Sequence, residues 1–150
     1  MKLTFSPIGI IHSPFTQANE TPIQPLFSPA VGKVELFTRF SPGLVDLDGF
    51  SHIFLLYAFH CSHGYELMVQ PYLDDSPHGL FSTRHPRRPN PIGLSVVRLL
   101  EIHENFLDIE GVDVLDGTPL LDIKPYIPEF DTRQDASQGW HQTRSRERKG

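Results

Sequence analysis

The sequence predicts an all-β domain, a closed or nearly closed β-barrel with little helix. The chain contains 14 prolines and 11 glycines, which interrupt long helices and divide it into short segments. Its apolar residues fall into six or seven short runs that favour strands. At 150 residues and 39% hydrophobic content, the chain can bury one core. Closure of the sheet removes the open edges that such strands would otherwise leave.

The first two predicted strands are separated by a long polar loop. Ile8–His12 is short and β-branched, and Lys33–Phe37 alternates charged and apolar residues like a half-buried strand. Thr16–Ala30, which contains three prolines, predicts a loop of about 15 residues without its own structure. Such a loop is either a functional segment or a disordered surface segment, and both interpretations stay open.

The centre of the predicted sheet is Phe50–His60, which reads FSHIFLLYAFH. Its β-branched and aromatic residues favour a central strand, although periodicity alone does not exclude a buried helix. One helical turn is predicted before it, at Leu44–Gly49. Its neighbouring strand is predicted at Glu66–Tyr72.

The second half of the chain predicts a hairpin and a last strand. Leu94–Ile102 and Phe106–Glu110 flank the expected turn at His103-Glu104-Asn105. Asp116-Gly117 is a strong turn signal, and Leu120–Lys124 is the last predicted strand.

The barrel domain is expected to span residues 1–131, and a polar tail is expected at 132–150. The tail ends in a basic cluster that is most simply a solvated chain end, with an RNA-contacting arm as the alternative. The cluster contains Arg144, Arg146, Arg148 and Lys149.

Charge and composition narrow the class of protein. The net charge of −5 excludes a general polyanion binder, so any contact with nucleic acid must come from a local patch. Cys61 is the single cysteine, which suits a reducing compartment. We expect no signal peptide, because the N-terminus lacks a sustained apolar run. No stretch approaches the roughly 20 apolar residues of a membrane span, so a cytoplasmic protein without a membrane partner is expected.

The stretch Gly79–Ser95 reads GLFSTRHPRRPNPIGLS and predicts a rigid, cationic loop. Proline fixes φ and pushes the preceding residue toward extended conformations. No Asp or Glu occurs between Ser76 and Leu100, although the chain as a whole is acidic. These features favour a built site over a spacer. The prolines and arginines are Pro86, Pro89, Pro91, Arg84, Arg87 and Arg88.

Common catalytic fingerprints are absent from the sequence. There is no G-x-G-x-x-G after a strand, no Walker A loop and no G-x-S-x-G elbow. The string HCSH at residues 60–63 contains residue types that bind metals. On a strand, however, Cys61 and His63 would point to one face and His60 to the other, so these side chains would not converge on one ion. A hydrogen-bonded histidine is therefore favoured over a metal site. A small metal-dependent β-barrel enzyme that uses His60, His63 and His85 is kept as an alternative.

Three longer strings resemble the signature blocks of the TsaA-like (YaeB-like) family: GFSHIFLLYAFH, FSTRHPRRPNPIGLS and LDGTPLLDIKPYIP. The resemblance runs from about Ile8 to about Pro128. The family includes S-adenosylmethionine-dependent methyltransferases that act on N6-threonylcarbamoyladenosine beside the tRNA anticodon. The resemblance implies a single-sheet β-barrel, S-adenosylmethionine as cofactor, a tRNA substrate and a homodimer with the cofactor near the subunit interface.

The resemblance also implies a cofactor pocket built from four segments. Two positions depart from the family pattern: the early loop reads Pro-Ile-Gln where Pro-Arg-Gln is common, and Cys61 stands where Gln is common. Larger family members carry an additional C-terminal domain. The implied cofactor contacts are Pro22, Gln24, His60, Cys61, Arg84, Leu94, Asp113, Val114, Leu115, Asp116, Gly117 and Thr118.

Methyl transfer to this nucleoside requires a proton acceptor, because the acceptor nitrogen is a poor nucleophile that must lose its proton. Asp122 is the predicted catalytic base, and an ion pair between Asp122 and Lys124 is the competing interpretation. Arg84 and Arg88 are candidates for the carboxylates of cofactor and substrate. A cofactor-binding module without catalysis is the second functional hypothesis. The predicted substrate contacts are Arg87, Arg88, Lys124 and Tyr126.

Overall fold

The computed structural model describes residues 1–17, 29–71 and 74–142. Its secondary structure consists mainly of short strands, as the distribution of proline and glycine predicts. The strands are β1 (Gly9–His12), β2 (Val31–Leu36), β3 (His52–Ala58), β4 (Met68–Val69), β5 (His78–Gly79), β6 (Ile92–His103), β7 (Phe106–Glu110) and β8 (Thr118–Pro125).

Six strands close into one antiparallel barrel in the order β1, β2, β7, β6, β3, β8, and β8 pairs back onto β1. β4 and β5 form a separate two-stranded sheet. The predicted all-β, single-sheet barrel with little helix is confirmed. The helical segments include the 3₁₀ helices Thr38–Leu44, Leu47–Gly49 and Leu80–Ser82 and the α-helix α1 (Pro128–Asp131).

The chain divides into two compact units. The first comprises the described residues of Met1–Tyr65 and Pro86–Tyr126 and contains the barrel. The second comprises the described residues of Glu66–His85 and Ile127–Gly150, and it contains β4, β5 and α1. The boundary expected at residue 131 stays a prediction, and residues 143–150 of the basic tail lie outside the described residues.

The core follows from the alternation within the strands. In β3, Ile53, Leu55 and Tyr57 are buried, whereas the residues between them are partly exposed. This period of two is that of a strand whose alternate side chains face the core, so Phe50–His60 supplies a strand and not a buried helix. Leu107 and Ile109 of β7 enter the same core.

The predicted hairpin joins β6 and β7. β6 ends at His103 and β7 begins at Phe106, with Glu104 at a φ of 56° in the turn. The side-chain amide of Asn105 donates a hydrogen bond to the Leu36 carbonyl at 2.7 Å, which ties the turn to β2. β6 begins at Ile92, inside the predicted proline loop and two residues before the predicted strand. The predicted hairpin is confirmed.

The turn before β8 also forms where the sequence predicts it. Gly117 has a φ of 83°, in the left-handed region that glycine tolerates without a steric penalty. Its N–H donates to the Ile11 carbonyl at 2.9 Å, so the turn is bonded directly to β1. β8 then begins at Thr118, two residues before the predicted strand.

The strand predicted at Glu66–Tyr72 as the neighbour of β3 is wrong. β3 pairs with β6 and β8, whereas the two residues of β4 pair with β5. The run is interrupted by Pro71, and its apolar side chains Leu67 and Met68 are exposed. With only two residues, β4 is too short to form one of the strands of the barrel. Before β3 the structure has 3₁₀ turns at Thr38–Leu44 and Leu47–Gly49 where one helical turn was expected at 44–49.

Gly93 allows Tyr57 to lie inside the barrel. The two residues are paired across β3 and β6, and a Cβ added to Gly93 would overlap Cε2 of the Tyr57 ring. The Phe59 ring packs edge-on against Tyr57, with ring centroids 5.5 Å apart. The backbone of Gly93 therefore forms the floor under this aromatic pair.

We predict that Gly93→Ala destabilises the protein by about 1–3 kcal/mol, because the added methyl group forces Tyr57 out of its position. Gly43→Ala is the matched control, since a Cβ at Gly43 meets no atom within 4 Å. Urea unfolding of both variants measures the difference. Equal midpoints for the two variants would contradict this account of Gly93.

Candidate functional site

The outer surface of β3, β6 and β8 gathers several of the predicted site residues. Leu56 pairs with Leu94 of β6 on one side and with Asp122 of β8 on the other. Directly paired residues share a face, and neighbouring strands lie about 4.8 Å apart. Leu94, Leu56 and Asp122 therefore form one row across the outside of the barrel. We call this surface the β3–β6–β8 face.

The β3–β6–β8 face is apolar at its centre and polar at its β8 edge. Ile92 and Leu94 are 42% and 53% exposed, although both are large apolar side chains. Lys124 lies opposite Phe54, and the Tyr126 ring lies 5.5 Å from the Phe54 ring in a tilted arrangement. The structure thus brings Leu94, Asp122, Lys124 and Tyr126 to one surface.

The carboxylate of Asp122 has two protein partners. Its Oδ2 lies 2.9 Å from Nζ of Lys124, and its Oδ1 accepts the backbone N–H of Ile123 at 2.9 Å. The ion pair with Lys124, which was the competing interpretation, is therefore present. Asp122 also borders a cavity of about 370 Å³, lined mainly by apolar residues that include Leu47, Phe50 and Ile123. An ion-paired carboxylate beside an apolar cavity retains lone pairs that can accept a proton.

His60 and Cys61 lie two and three residues beyond the end of β3 at Ala58, and both are exposed. The Phe59 N–H donates to the Pro91 carbonyl at 2.8 Å, which holds this strand end beside the start of β6. His60 and Cys61 consequently lie at the same end of the paired strands as Ile92. The implied contacts Pro22 and Gln24 fall outside the described residues.

The stretch Gly79–Ser95 is divided between the two units. Arg87 and Arg88 belong to the barrel unit, and Arg84 belongs to the second unit. Arg87 was expected to be available for RNA, but its Nε donates to the His63 carbonyl at 3.0 Å. This bond ties the proline-rich part of the stretch to the segment after β3. Arg84 is exposed, and Arg88 is half-buried.

The segment Asp113–Thr118 turns its side chains in different directions. Val114 and Thr118 are 5% and 3% exposed, and the Thr118 hydroxyl donates to the Leu115 carbonyl at 2.6 Å. A cofactor would therefore meet the backbone of these two residues and not their side chains. Leu115 is half-buried, whereas Asp116 and Gly117 are exposed and present a surface to solvent.

The same segment is bonded to the end of β1. The Ser13 hydroxyl donates to the Val114 carbonyl at 2.6 Å, and the Ser13 N–H donates to Oδ1 of Asp116 at 3.0 Å. The Asp116 N–H donates to the Phe15 carbonyl at 2.7 Å. Asp116 thus holds the turn in place, which is a structural role compatible with a contact to a cofactor.

Sequence reasoning missed a buried hydrogen-bonded chain of Tyr57, Ser95 and Asp113. The Ser95 hydroxyl donates to Oδ1 of Asp113 at 2.7 Å, and the Tyr57 hydroxyl lies 2.8 Å from Ser95 Oγ. Since Ser95 has one proton to donate, Tyr57 donates to Ser95. The chain joins β3 and β6 to the start of Asp113–Thr118. The signal that could have revealed this chain is Ser95 in the string IGLSVV. The alternation of the strand places Ser95 at an inward position, where a buried polar group needs a hydrogen-bond partner.

The described residues place one group of metal-ligand side chains together, and it excludes His60, His63 and His85. Glu101, His103 and Asp108 lie within reach of one ion, but His103 Nε2 is 3.2 Å from an oxygen of each carboxylate. Lys33 Nζ lies 3.6 Å from the other oxygen of Asp108. These ion pairs account for the arrangement of Glu101, His103 and Asp108 without a metal ion.

The barrel and the site segments define a small single-sheet β-barrel protein with a candidate cofactor site on its surface. Residues 10–132 match the family model described as the tRNA-methyltransferase O N-terminal domain, and the chain belongs to this family. The predicted TsaA-like relationship is confirmed. Among the residues that the structure describes, no helix has the length and apolar character needed to cross a membrane.

Individual proteins are similar to this chain over most of its length. A probable S-adenosyl-L-methionine-binding protein of Pyrococcus abyssi is 53% identical over 93% of this chain and 77% of its own length. The tRNA (adenine(37)-N6)-methyltransferase of Mus musculus is 40% identical over 90% of this chain. A crystal structure of TrmO from Pseudomonas aeruginosa has a TM-score of 0.79 and 41% identity over 93% of this chain.

The matched proteins differ in length. This chain covers 33% of the mouse methyltransferase and 63% of the Pseudomonas aeruginosa TrmO chain. The shared part is therefore the barrel and its adjoining segments, whereas the longer relatives have further residues outside the match.

Proposed function

We propose that this chain is an S-adenosylmethionine-dependent methyltransferase that methylates N6 of N6-threonylcarbamoyladenosine next to the tRNA anticodon. The membership of residues 10–132 in the tRNA-methyltransferase O family supports this function. The observation that carries the proposal is the β3–β6–β8 face, where Leu94, Asp122, Lys124 and Tyr126 share one surface. These residues supply an apolar contact, a proton acceptor, a cation and an aromatic ring.

The described residues fit S-adenosylmethionine in their chemistry. The cofactor has an adenine ring, polar ribose and amino groups, and a carboxylate. Leu94 offers an exposed apolar surface, and the exposed turn at Asp116-Gly117 offers a carboxylate and backbone groups. Arg84 is proposed to bind the cofactor carboxylate through two parallel hydrogen bonds. The remaining proposed contacts are Pro22, Gln24, His60, Cys61, Asp113, Val114, Leu115 and Thr118.

When bound, S-adenosylmethionine supplies a sulfonium methyl group to an in-line displacement whose sulfur leaving group is neutral. The protein therefore has to position the acceptor, exclude water and remove one proton. We assign proton removal to a carboxylate oxygen of Asp122. Lys124, 2.9 Å from Oδ2, stabilises the negative charge of the carboxylate before the proton arrives.

The substrate contacts are proposed from charge and shape. Tyr126 presents an aromatic ring beside the β8 edge, and exposed aromatic rings stack on unpaired bases of RNA. Arg87 and Arg88 carry positive charge in an acidic protein and are proposed to face the phosphates.

We propose further that the protein acts as a homodimer that buries the apolar centre of the β3–β6–β8 face. Ile92 and Leu94 are exposed on adjoining outward positions of β6, and Leu100 is 47% exposed farther along that strand. Exposed apolar patches of this kind are typical of protein interfaces. A cytoplasmic location agrees with the single, exposed cysteine and stays a prediction.

A cofactor-binding module without catalysis is the second candidate function. The relative from Pyrococcus abyssi, of which this chain covers 77%, is named a probable S-adenosyl-L-methionine-binding protein. That name favours cofactor binding without specifying a reaction. The module would bind S-adenosylmethionine and transfer no methyl group to any RNA, so turnover distinguishes the two functions.

The wild-type protein is expected to transfer labelled methyl groups from S-adenosylmethionine to tRNA that bears the threonylcarbamoyl group. Asp122→Asn should lower kcat by about 10²–10⁴-fold, because the amide cannot accept the proton. Asp108→Asn is the matched control, since Asp108 is also a barrel aspartate paired with a lysine, Lys33. Cofactor binding without methyl transfer by the wild type would exclude the proposed reaction and leave the binding module.

We predict that Arg84→Ala weakens the binding of S-adenosylmethionine by about 10–100-fold, as expected for a lost bidentate hydrogen bond to a charged group. Arg87→Ala should leave cofactor affinity nearly unchanged and weaken the binding of tRNA. Calorimetric titration of both variants measures the cofactor affinity. Equal losses of cofactor affinity would contradict this assignment of the two arginines.

Ile92→Glu should convert the homodimer to monomers, because it places a charge in the apolar centre of the β3–β6–β8 face. Val45→Glu is the control, since Val45 is 76% exposed outside this face. Sedimentation velocity of the wild type and both variants gives the masses. A wild type that sediments as a monomer would refute the proposed dimer, and a dimeric Ile92→Glu variant would refute this face as its interface.

A further inference from the structure

Trp140 is the single tryptophan of the sequence, and it lies beyond the residues matched by the family model. Its ring stacks on the imidazole of His78, with centroids 4.2 Å apart and an interplanar angle of 19°. Its Nε1–H donates to the Ser82 carbonyl at 2.8 Å. Both contacts lie within the second unit. A buried or half-buried indole that satisfies its N–H in this way is a specific contact and not a loose chain end.

His78 is itself held by a second side chain, that of Asp74. Its Nε2 lies 2.7 Å from Oδ2 of Asp74, a carboxylate that is only 8% exposed. The other oxygen of Asp74 accepts the Ser76 N–H at 3.2 Å, and the Asp74 carbonyl accepts the side-chain amide of Gln70 at 3.1 Å. The imidazole therefore has a set orientation, and it gives the indole a fixed surface on which to stack.

The Ser82 carbonyl belongs to the last residue of the 3₁₀ helix Leu80–Ser82. Carbonyl groups at the end of a helix require donors from outside the helix, and the indole N–H supplies one. The next residue, Thr83, bonds back to the Leu80 carbonyl through its N–H at 3.0 Å and its hydroxyl at 2.7 Å. Arg84 follows this short bonded segment. The contact from Trp140 thus acts two residues before the arginine.

We propose that Trp140 is a positioning residue, which holds the segment Leu80–Thr83 so that Arg84 is presented to the carboxylate of S-adenosylmethionine. The proposal rests on the function proposed above for Arg84. It assigns a role to a residue that lies beyond the part of the chain matched by the family model. The loss of one neutral hydrogen bond corresponds to about a three- to tenfold change in an equilibrium constant. Trp140→Phe removes that bond and retains an aromatic ring for His78.

The first test uses the ligand-free protein. Hydrogen exchange of the amides of residues 80–84, measured by mass spectrometry, should be faster in Trp140→Ala than in the wild type, with Trp140→Phe between them. Phe130→Ala is the control, because Phe130 is an aromatic residue of the same unit that is 60% exposed. Unchanged exchange in Trp140→Phe and Trp140→Ala, with folding verified by circular dichroism, would overturn the proposal.

The second test measures cofactor binding and turnover. S-adenosylmethionine should bind about three- to tenfold more weakly to Trp140→Phe, and more weakly still to Trp140→Ala. KM for the cofactor should rise while kcat stays within about twofold, since Trp140 does not act on the reacting groups. Faster exchange with unchanged cofactor affinity would overturn the link to Arg84. Absence of binding by the wild type would overturn the proposed function and that link together, whereas the exchange result still decides whether Trp140 holds the segment.

Discussion

The pairing of β3 with both β6 and β8 is the constraint on which the candidate site depends. Because β3 is hydrogen-bonded to a strand on each side, its register is fixed, and so is the face of the sheet to which each side chain points. Ile53, Leu55 and Tyr57 enter the core, and the residues between them must lie outside. The register then places Leu94 and Asp122 on either side of Leu56. The surface that carries the proposed chemistry is thus a consequence of how the core is filled.

The interior also determines how the site segments are held. Tyr57 needs the empty position at Gly93, and its hydroxyl begins the chain through Ser95 to Asp113. Buried polar groups are costly unless they are paired, so this chain limits the positions that the segment after Asp113 can take. Asp116 adds a second set of bonds from the exposed side. The proposed cofactor wall is therefore supported both from the core and from β1.

Charge compensation explains why an acidic residue can lie beside an apolar surface. Asp122 is paired with Lys124, and the two share a side of β8 because they are two residues apart. The arginines contribute differently, since Arg87 is bonded to the segment after β3 whereas Arg84 belongs to the other unit. One cationic stretch of sequence thus supplies residues to two structural environments.

The sequence by itself determined the barrel class, the central strand, the hairpin and the turn at Asp116-Gly117. Each follows from local alternation or from the backbone preferences of glycine and proline, which act over a few residues. The motifs also identified the family. Strand pairing required contacts between distant residues, so the separate sheet of β4 and the earlier start of β6 at Ile92 were not predicted.

Only the tertiary structure decided which functional candidates share a surface. The composition of DGTP-x-x-DIKPY does not reveal that Thr118 faces the core while Asp122 faces outward, because the extra residue between Leu120 and Asp122 shifts the alternation. The partners of Ser95 and Trp140 are likewise 18 and 58 residues away in sequence. Short-range patterns specify strands and turns, whereas barrel closure and side-chain contacts between distant segments specify the site.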